Sequence, residues 1–182
     1  MSRSVIALVG LPGSGKTSVG RGLAKRLNAD WIDSDQALEA RLGCAIRDYF
    51  EAHGEMAFRD LEERVIDELS QAAGVVLSTG GGAVLREANR RCLRERGTVI
   101  YLRAAPEQLY RRLRHDTKRP LLQVADPLER LKALYAERDP LYREVAHFVV
   151  DTHGLSMPML VSRIVMQLEL GGQLDVSPPT GG

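Results

Sequence analysis

An apolar run, Val5-Ile6-Ala7-Leu8-Val9, leads into Gly10-Leu11-Pro12-Gly13-Ser14-Gly15-Lys16-Thr17, and apolar residues at helical spacing follow at Val19, Leu23 and Leu27. Strand, glycine loop, helix is the arrangement of a phosphate-binding P-loop. The strand ends at Gly10, the glycines let the backbone turn its N–H groups inward, and the new helix aims the positive end of its dipole at the same point. Lys16 adds a cation near the β- and γ-phosphates, and the Thr17 hydroxyl is a ligand that suits Mg²⁺. The pattern G-x-x-x-x-G-K-[ST] arises by chance in roughly one chain of this length in a hundred, and the flanking elements make it rarer. A glycine-rich turn with an exposed lysine is therefore the weaker reading, and the chain is expected to bind a nucleoside triphosphate.

Further apolar runs read as buried parallel strands at 29–32 (a weak one), 75–77, 98–102 and 148–150. Helical patterns separate them at about 15–27, 35–42, 55–72, 86–96, 106–114, 127–143 and 157–170, with Pro106, Pro127 and Pro158 where first helical turns begin. Five strands alternating with helices mean a doubly wound α/β sheet whose ligands bind at the carboxyl ends of the strands. The 182 residues fit one such domain over 1–170, and the Gly-, Pro- and Ser-containing stretch 171–182 is expected to be disordered. A net charge of +1 argues against general nucleic-acid affinity. Met1-Ser2-Arg3-Ser4 leaves no room for a signal peptide, and no apolar run approaches a membrane span. Cys44 and Cys92 lie far apart without metal-ligand spacing and read as free thiols. A soluble, cytoplasmic protein is expected.

Special residues cluster where strands end. Asp33-Ser34-Asp35 places two carboxylates on one side of an extended turn. Phosphoryl transfer to an alcohol needs a carboxylate to accept the hydroxyl proton and polar groups around the metal's hydration shell. A helix cap is the competing role for such an Asp, but the P-loop nearby favours function. Gly80-Gly81-Gly82 exceeds what a turn needs and lets a ligand approach the backbone. Arg59 and Arg138, each alone, read as solvated surface arginines; together they could clamp a carboxylate, which the sequence cannot decide. Lys118-Arg119-Pro120 reads either as a mobile basic lid over the phosphates or as an ordinary exposed loop. The four histidines show no ligand spacing, and Trp31 reads as packing or as a substrate wall.

Taken in order, these residues resemble the shikimate kinase family. The match runs from about residue 4 to 170 through the P-loop Gly10–Thr17, Asp33-Ser34-Asp35, Phe58-Arg59, Ser78-Thr79-Gly80-Gly81-Gly82-Ala83-Val84, Arg119-Pro120-Leu121-Leu122 and Glu137-Arg138 before Pro140-Leu141-Tyr142. The resemblance implies a P-loop NTPase-type fold like that of nucleoside monophosphate kinases, with a substrate-binding segment near 33–61 and a lid near 112–124. It implies transfer of the ATP γ-phosphate to the 3-hydroxyl of shikimate, a step toward the aromatic amino acids, with Mg²⁺ as cofactor. Asp35 would orient and deprotonate the hydroxyl, and Arg59, Arg138 and Gly80, Gly81 and Gly82 would bind shikimate. Gly13, Ser14, Gly15, Lys16, Thr17, Ser18, Arg112 and Arg119 would bind ATP, with Lys16 and Arg119 stabilising the transferring phosphoryl group. Thr17 would hold Mg²⁺ directly and Asp33 through water. Family members are usually monomers, so a monomer is expected.

The chain departs from the family after its last strand. Where many members carry a basic residue that closes over adenine, this sequence reads Asp151-Thr152-His153-Gly154-Leu155. Gluconate kinases, nucleoside monophosphate kinases and a non-catalytic ATP-binding regulator on the same fold are the rival readings. The intact acceptor-side residues weigh against a pure binder.

Overall fold

A computed structural model describes residues 4–115 and 123–174 of the chain. Five strands, β1 (Val5–Val9), β2 (Asp30–Asp33), β3 (Val75–Ser78), β4 (Gly97–Arg103) and β5 (Phe148–Asp151), form one parallel sheet in the order β2-β3-β1-β4-β5. Among the described residues seven helices flank it: α1 (Lys16–Leu27), α2 (Ser34–Leu42), α3 (Ile46–Leu69), α4 (Glu87–Arg96), α5 (Pro106–Leu113), α6 (Pro127–Val145) and α7 (Met157–Leu170). A short 3₁₀ turn, Ala83–Leu85, leads into α4. The doubly wound sheet is the expected fold.

The central strand shows why both faces are covered. Side chains alternate along a strand, so Val5, Ala7 and Val9 pack toward α3–α6, while Ile6 and Leu8 pack toward α1 and α7. Every residue of β1 is buried. Because β1 sits between β3 and β4, it ends at the point where the strand order reverses, the place where such sheets bind ligands. Leu8 of β1 pairs with Ser78 of β3, and Ser78 pairs with Asp33 of β2. The P-loop, the Asp33–Asp35 turn and the triple glycine therefore leave the sheet side by side.

Strand ends fall within one residue of the sequence reading, but one helix does not. The expected helix at 55–72 begins earlier, at Ile46, and is interrupted by Gly54 (φ 85°, ψ 172°). Ile46, Tyr49 and Phe50, spaced i, i+3, i+4, pack with Leu38, Phe58 and Val65 in a small separate core. Three apolar residues are too short a pattern to read as periodic without knowing what they pack against. At the other end, Leu174 packs against the α1–α7 core and Gln173 donates to the Leu168 carbonyl at 3.0 Å, although the sequence placed both beyond the domain. Residues 175–182 lie outside the described residues. Among the described residues no helix is long and apolar enough to cross a membrane.

Trp31 is a packing residue. It lies against Gly20 and under the Arg21 guanidinium, and its indole N–H donates to Ser78 Oγ at 3.0 Å, on the α1 side of the sheet. His147 is structural too. Its Nδ1 accepts the Val99 N–H at 3.0 Å and its own N–H donates to the Val99 carbonyl at 2.8 Å, which joins β4 to the start of β5. Burial and then the Arg94 charge hold its pKa below the usual histidine value. The folded state therefore favours neutral His147, and stability is lost as pH falls from about 6.5 toward that lower pKa. Urea unfolding of wild type and His147→Asn, whose amide oxygen can replace Nδ1 as acceptor, is expected to show wild type losing stability relative to the variant between pH 7.5 and pH 5. Parallel pH profiles would refute this role.

Candidate active site

The P-loop is built as the sequence requires. Gly15 caps α1 in the left-handed region (φ 99°), where a side chain is disfavoured. Lys16 is buried, and its ammonium donates to the Gly10 and Leu11 carbonyls at 2.7 and 3.0 Å. Ser14 Oγ is buried without a hydrogen-bond partner among the described residues. Gly13 lies above α5, and Thr17 and Ser18 are exposed in the first turn of α1.

Asp33 caps α2 with one carboxylate oxygen and meets the P-loop with the other. Its Oδ1 caps α2 by accepting the N–H groups of Asp35 and Gln36 at 2.9 and 3.1 Å, and its Oδ2 accepts from the Thr17 hydroxyl at 3.4 Å. The Thr17 and Asp33 oxygens are hard donors beside the loop, which suits a divalent cation carried with a triphosphate. Ser34 is fully buried and accepts the Gly80 N–H at 2.9 Å, tying this turn to the triple glycine. Asp35 faces the cleft. Burial, then the like charges of Asp33 and Glu62, push its pKa up to about 6 against the opposing pull of Lys16.

The triple glycine is where the acceptor residues meet. A Cβ on Gly80 would collide with Asp35 Oδ1, and one on Gly82 would collide with the Arg59 guanidinium. A Cβ on Gly81 would lie 3.0 Å from Pro12 and 3.4 Å from Arg138. The missing side chains at Gly80 and Gly82 thus leave room for Asp35 and Arg59, Gly81 lies close against Pro12 with Arg138 beside it, and the structure brings together the two arginines that the sequence could not. The Nε atoms of both Arg59 and Arg138 are buried and make no hydrogen bond among the described residues. Two guanidiniums with donors to spare, facing backbone without side chains, make a site for a small carboxylate.

Sequence reasoning missed Glu62 and gave Tyr142 no role. Glu62 is fully buried and accepts from Arg59 at 2.7 Å, holding that guanidinium from behind. Burial raises its pKa, with the Arg59 and Arg138 charges opposing. The signal was present: Glu62 stands three residues after Arg59 on a helix, a spacing that puts them on one face.

On the other side of the P-loop, Arg112 donates to the Gly13 carbonyl at 3.2 Å and to Thr152 Oγ1 at 3.4 Å. The segment after β5 is anchored by His153, whose Nδ1 pairs with Gln108 Nε2 at 2.9 Å. Arg119 and the centre of the expected lid, 116–122, lie outside the described residues.

Comparison with known proteins matches this geometry to a family. The shikimate kinase model matches residues 12–169. The shikimate kinase of Paracidovorax citrulli (strain AAC00-1) is 57% identical over 176 residues, which span 95% of this chain and 96% of that protein. The chain belongs to the shikimate kinase family. Among solved structures, the Acinetobacter baumannii shikimate kinase in complex with shikimate superposes with a TM-score of 0.88 at 43% identity, covering 94% of this chain and 96% of that one. The shikimate kinase of Aquifex aeolicus VF5 gives a TM-score of 0.81 at 34% identity, over 92% of this chain and 98% of that one. The family assignment sets aside gluconate kinases and nucleoside monophosphate kinases, which share the P-loop but not the ordered acceptor residues.

The Arg59–Glu62 pair carries a prediction for any shikimate kinase built this way. Glu62→Ala leaves the Arg59 guanidinium, itself only 13% exposed, without its buried partner. Urea denaturation is expected to show a loss of about 3 kcal/mol. Glu55→Ala removes a partner that is 61% exposed and lies 3.6 Å from Arg59, and is expected to lose under about 1 kcal/mol. Equal losses would mean that the buried pair does not hold Arg59.

Proposed function

We propose that this chain transfers the γ-phosphate of ATP to the 3-hydroxyl of shikimate, with Asp35 as the group that orients the hydroxyl and takes its proton. The observation that carries this reading is the meeting of Asp35, Arg138 and Arg59 over Gly80, Gly81 and Gly82, beside the P-loop lysine. A nucleoside monophosphate or a neutral sugar has no carboxylate to occupy two arginines, whereas shikimate has one carboxylate and hydroxyls on the same ring.

The roles follow from chemistry. Arg59 and Arg138 grip the carboxylate, which fixes the ring against the glycine backbone and sets a hydroxyl at Asp35. Asp35 accepts the proton as the bond from oxygen to phosphorus forms, and the released phosphoryl acceptor leaves as shikimate 3-phosphate with ADP. A carboxylate whose pKa is raised to about 6 is still charged at neutral pH and is a better base than an ordinary Asp. Backbone N–H groups of Gly13 to Ser18 receive the phosphates, and Lys16 turns from its carbonyl partners to the transferring group. Thr17 and Asp33 would hold Mg²⁺, Thr17 directly and Asp33 through water, and the bound ion supplies positive charge against the phosphate oxygens. Arg112 packs against adenine and Arg119 adds charge at the phosphoryl group, both roles resting on the family resemblance.

The raised pKa of Asp35 ties stability to activity. Its charged form is disfavoured on folding, so stability is gained as pH falls through about 6, while activity, which needs the charged form, is lost there. In a coupled assay with Mg-ATP, ADP release should depend on shikimate and be far lower with gluconate or nucleoside monophosphates. Its kcat/KM should fall about tenfold per pH unit below about 6. Asp35→Asn should lower kcat at least roughly a hundredfold with ATP binding little changed, and raise stability at pH 7 by on the order of 2 kcal/mol. ADP release indifferent to shikimate, or an Asn variant with near-normal turnover, would defeat the assignment.

A further inference from the structure

Two buried tyrosines stack behind the glycine backbone, and their hydroxyls do different things. Tyr101 on β4 and Tyr142 on α6 are 1% and 0% exposed, with ring centroids 5.0 Å apart. The Tyr101 hydroxyl donates to Asp139 Oδ1 at 2.7 Å, and Asp139 Oδ2 accepts from Arg143 at 3.0 Å, so this branch stays within α6. The Tyr142 hydroxyl instead donates to the Gly81 carbonyl at 2.6 Å. Arg138 lies one turn earlier on the same face of α6 and interacts with that hydroxyl.

The Gly81–Gly82 peptide is planar and trans, so its carbonyl and its N–H point in opposite directions. Holding the Gly81 carbonyl toward Tyr142 turns the Gly82 N–H the other way. Among the described residues, the N–H groups of Gly81 and Gly82 donate to no protein acceptor. Without the hydroxyl the peptide has no side-chain bond fixing its tilt. Gly82 is also the residue whose missing side chain makes room for Arg59, and Gly81 lies beside the Arg138 guanidinium.

We propose that Tyr142 is a positioning residue for the acceptor: one hydroxyl fixes the tilt of the Gly81–Gly82 peptide and the place of Arg138 relative to it. This rests on the reading that the two arginines grip the substrate carboxylate. Tyr142 touches no reacting atom; it acts by setting the backbone and the guanidinium that do. A role in core packing alone would make the two tyrosines equivalent, because they share one stack.

The test compares Tyr142→Phe with Tyr101→Phe, each of which keeps its ring and removes one hydroxyl. KM does not depend on how much of a preparation is folded, so it remains readable even where a variant is partly unfolded. Tyr142→Phe is expected to raise the KM for shikimate roughly tenfold, with the KM for ATP unchanged and a smaller change in kcat. Tyr101→Phe is expected to leave both KM values within about twofold of wild type while lowering Tm. A second readout is the wild-type preference for shikimate over an analogue that lacks the carboxylate, which should shrink in Tyr142→Phe and persist in Tyr101→Phe. A shikimate KM within twofold of wild type in Tyr142→Phe, or equal KM changes in the two variants, would overturn the proposal. Failure of wild type to use shikimate would instead overturn the reading of the site, so the two failures are distinct.

Discussion

The acceptor cleft depends on three side chains that are not there. At the end of β3 the chain runs through Gly80, Gly81 and Gly82, and the space their Cβ atoms would fill is taken by Asp35, Pro12 with Arg138, and Arg59. A carboxylate and two guanidiniums converge on one small volume beside a backbone that has no bulk of its own. The sheet order brings this backbone to the P-loop. β3 lies between β2 and β1, so the triple glycine leaves the sheet between the Asp33–Asp35 turn and the phosphate loop.

Holding these charges together is unfavourable for folding, and the structure shows how it is offset. Burial raises the pKa of both Asp35 and Glu62, so each carboxylate is less stable charged here than in water. Glu62 is compensated by direct contact with Arg59, whereas Asp35 has Lys16 against the like charges of Asp33, Glu62 and Glu39. An uncompensated, partly desolvated carboxylate is a poor structural element and a good base. That contrast supports the proposed division between Asp35 as base and Glu62 as the residue that holds Arg59. The Ser34 hydroxyl, accepting from Gly80, and the Tyr142 hydroxyl, donating to Gly81, hold the glycine backbone, whose own conformational freedom is otherwise high.

Much of this was legible in the sequence, for particular reasons. Strands buried on both faces write themselves as continuous apolar runs, so β1, β3 and β4 were readable, the edge strand β5 showed as the short apolar run 148–150, and the glycine loop after β1 announced itself by spacing. The first half of α3 was not, because Ile46, Tyr49 and Phe50 bury themselves against Leu38 and Phe58 rather than the main core. Arg59 and Arg138 could be paired only through resemblance, since 79 residues separate them and only packing of α6 against the end of β3 brings them together. Asp33 reads as cap or metal group; the structure shows the cap and a second oxygen that meets Thr17, which no pattern of single residues expresses. The supporting hydroxyl of Tyr142 was invisible because it acts on a backbone whose own role had first to be known, and the spacing of Glu62 from Arg59 gains meaning only once Arg59 has a role.

The account stands or falls on the glycine backbone, and alanine at each position measures it directly. None of the three glycines has a positive φ, so alanine meets side chains rather than backbone strain. Steady-state kinetics of the three variants should then divide by position. Gly80→Ala should chiefly lower kcat by displacing Asp35, while Gly81→Ala and Gly82→Ala should chiefly raise the KM for shikimate by displacing Arg138 and Arg59. The KM for ATP should hold in all three. Three variants with wild-type kinetics, or with shikimate and ATP weakened alike, would contradict the claim that these glycines exist to let the acceptor residues meet.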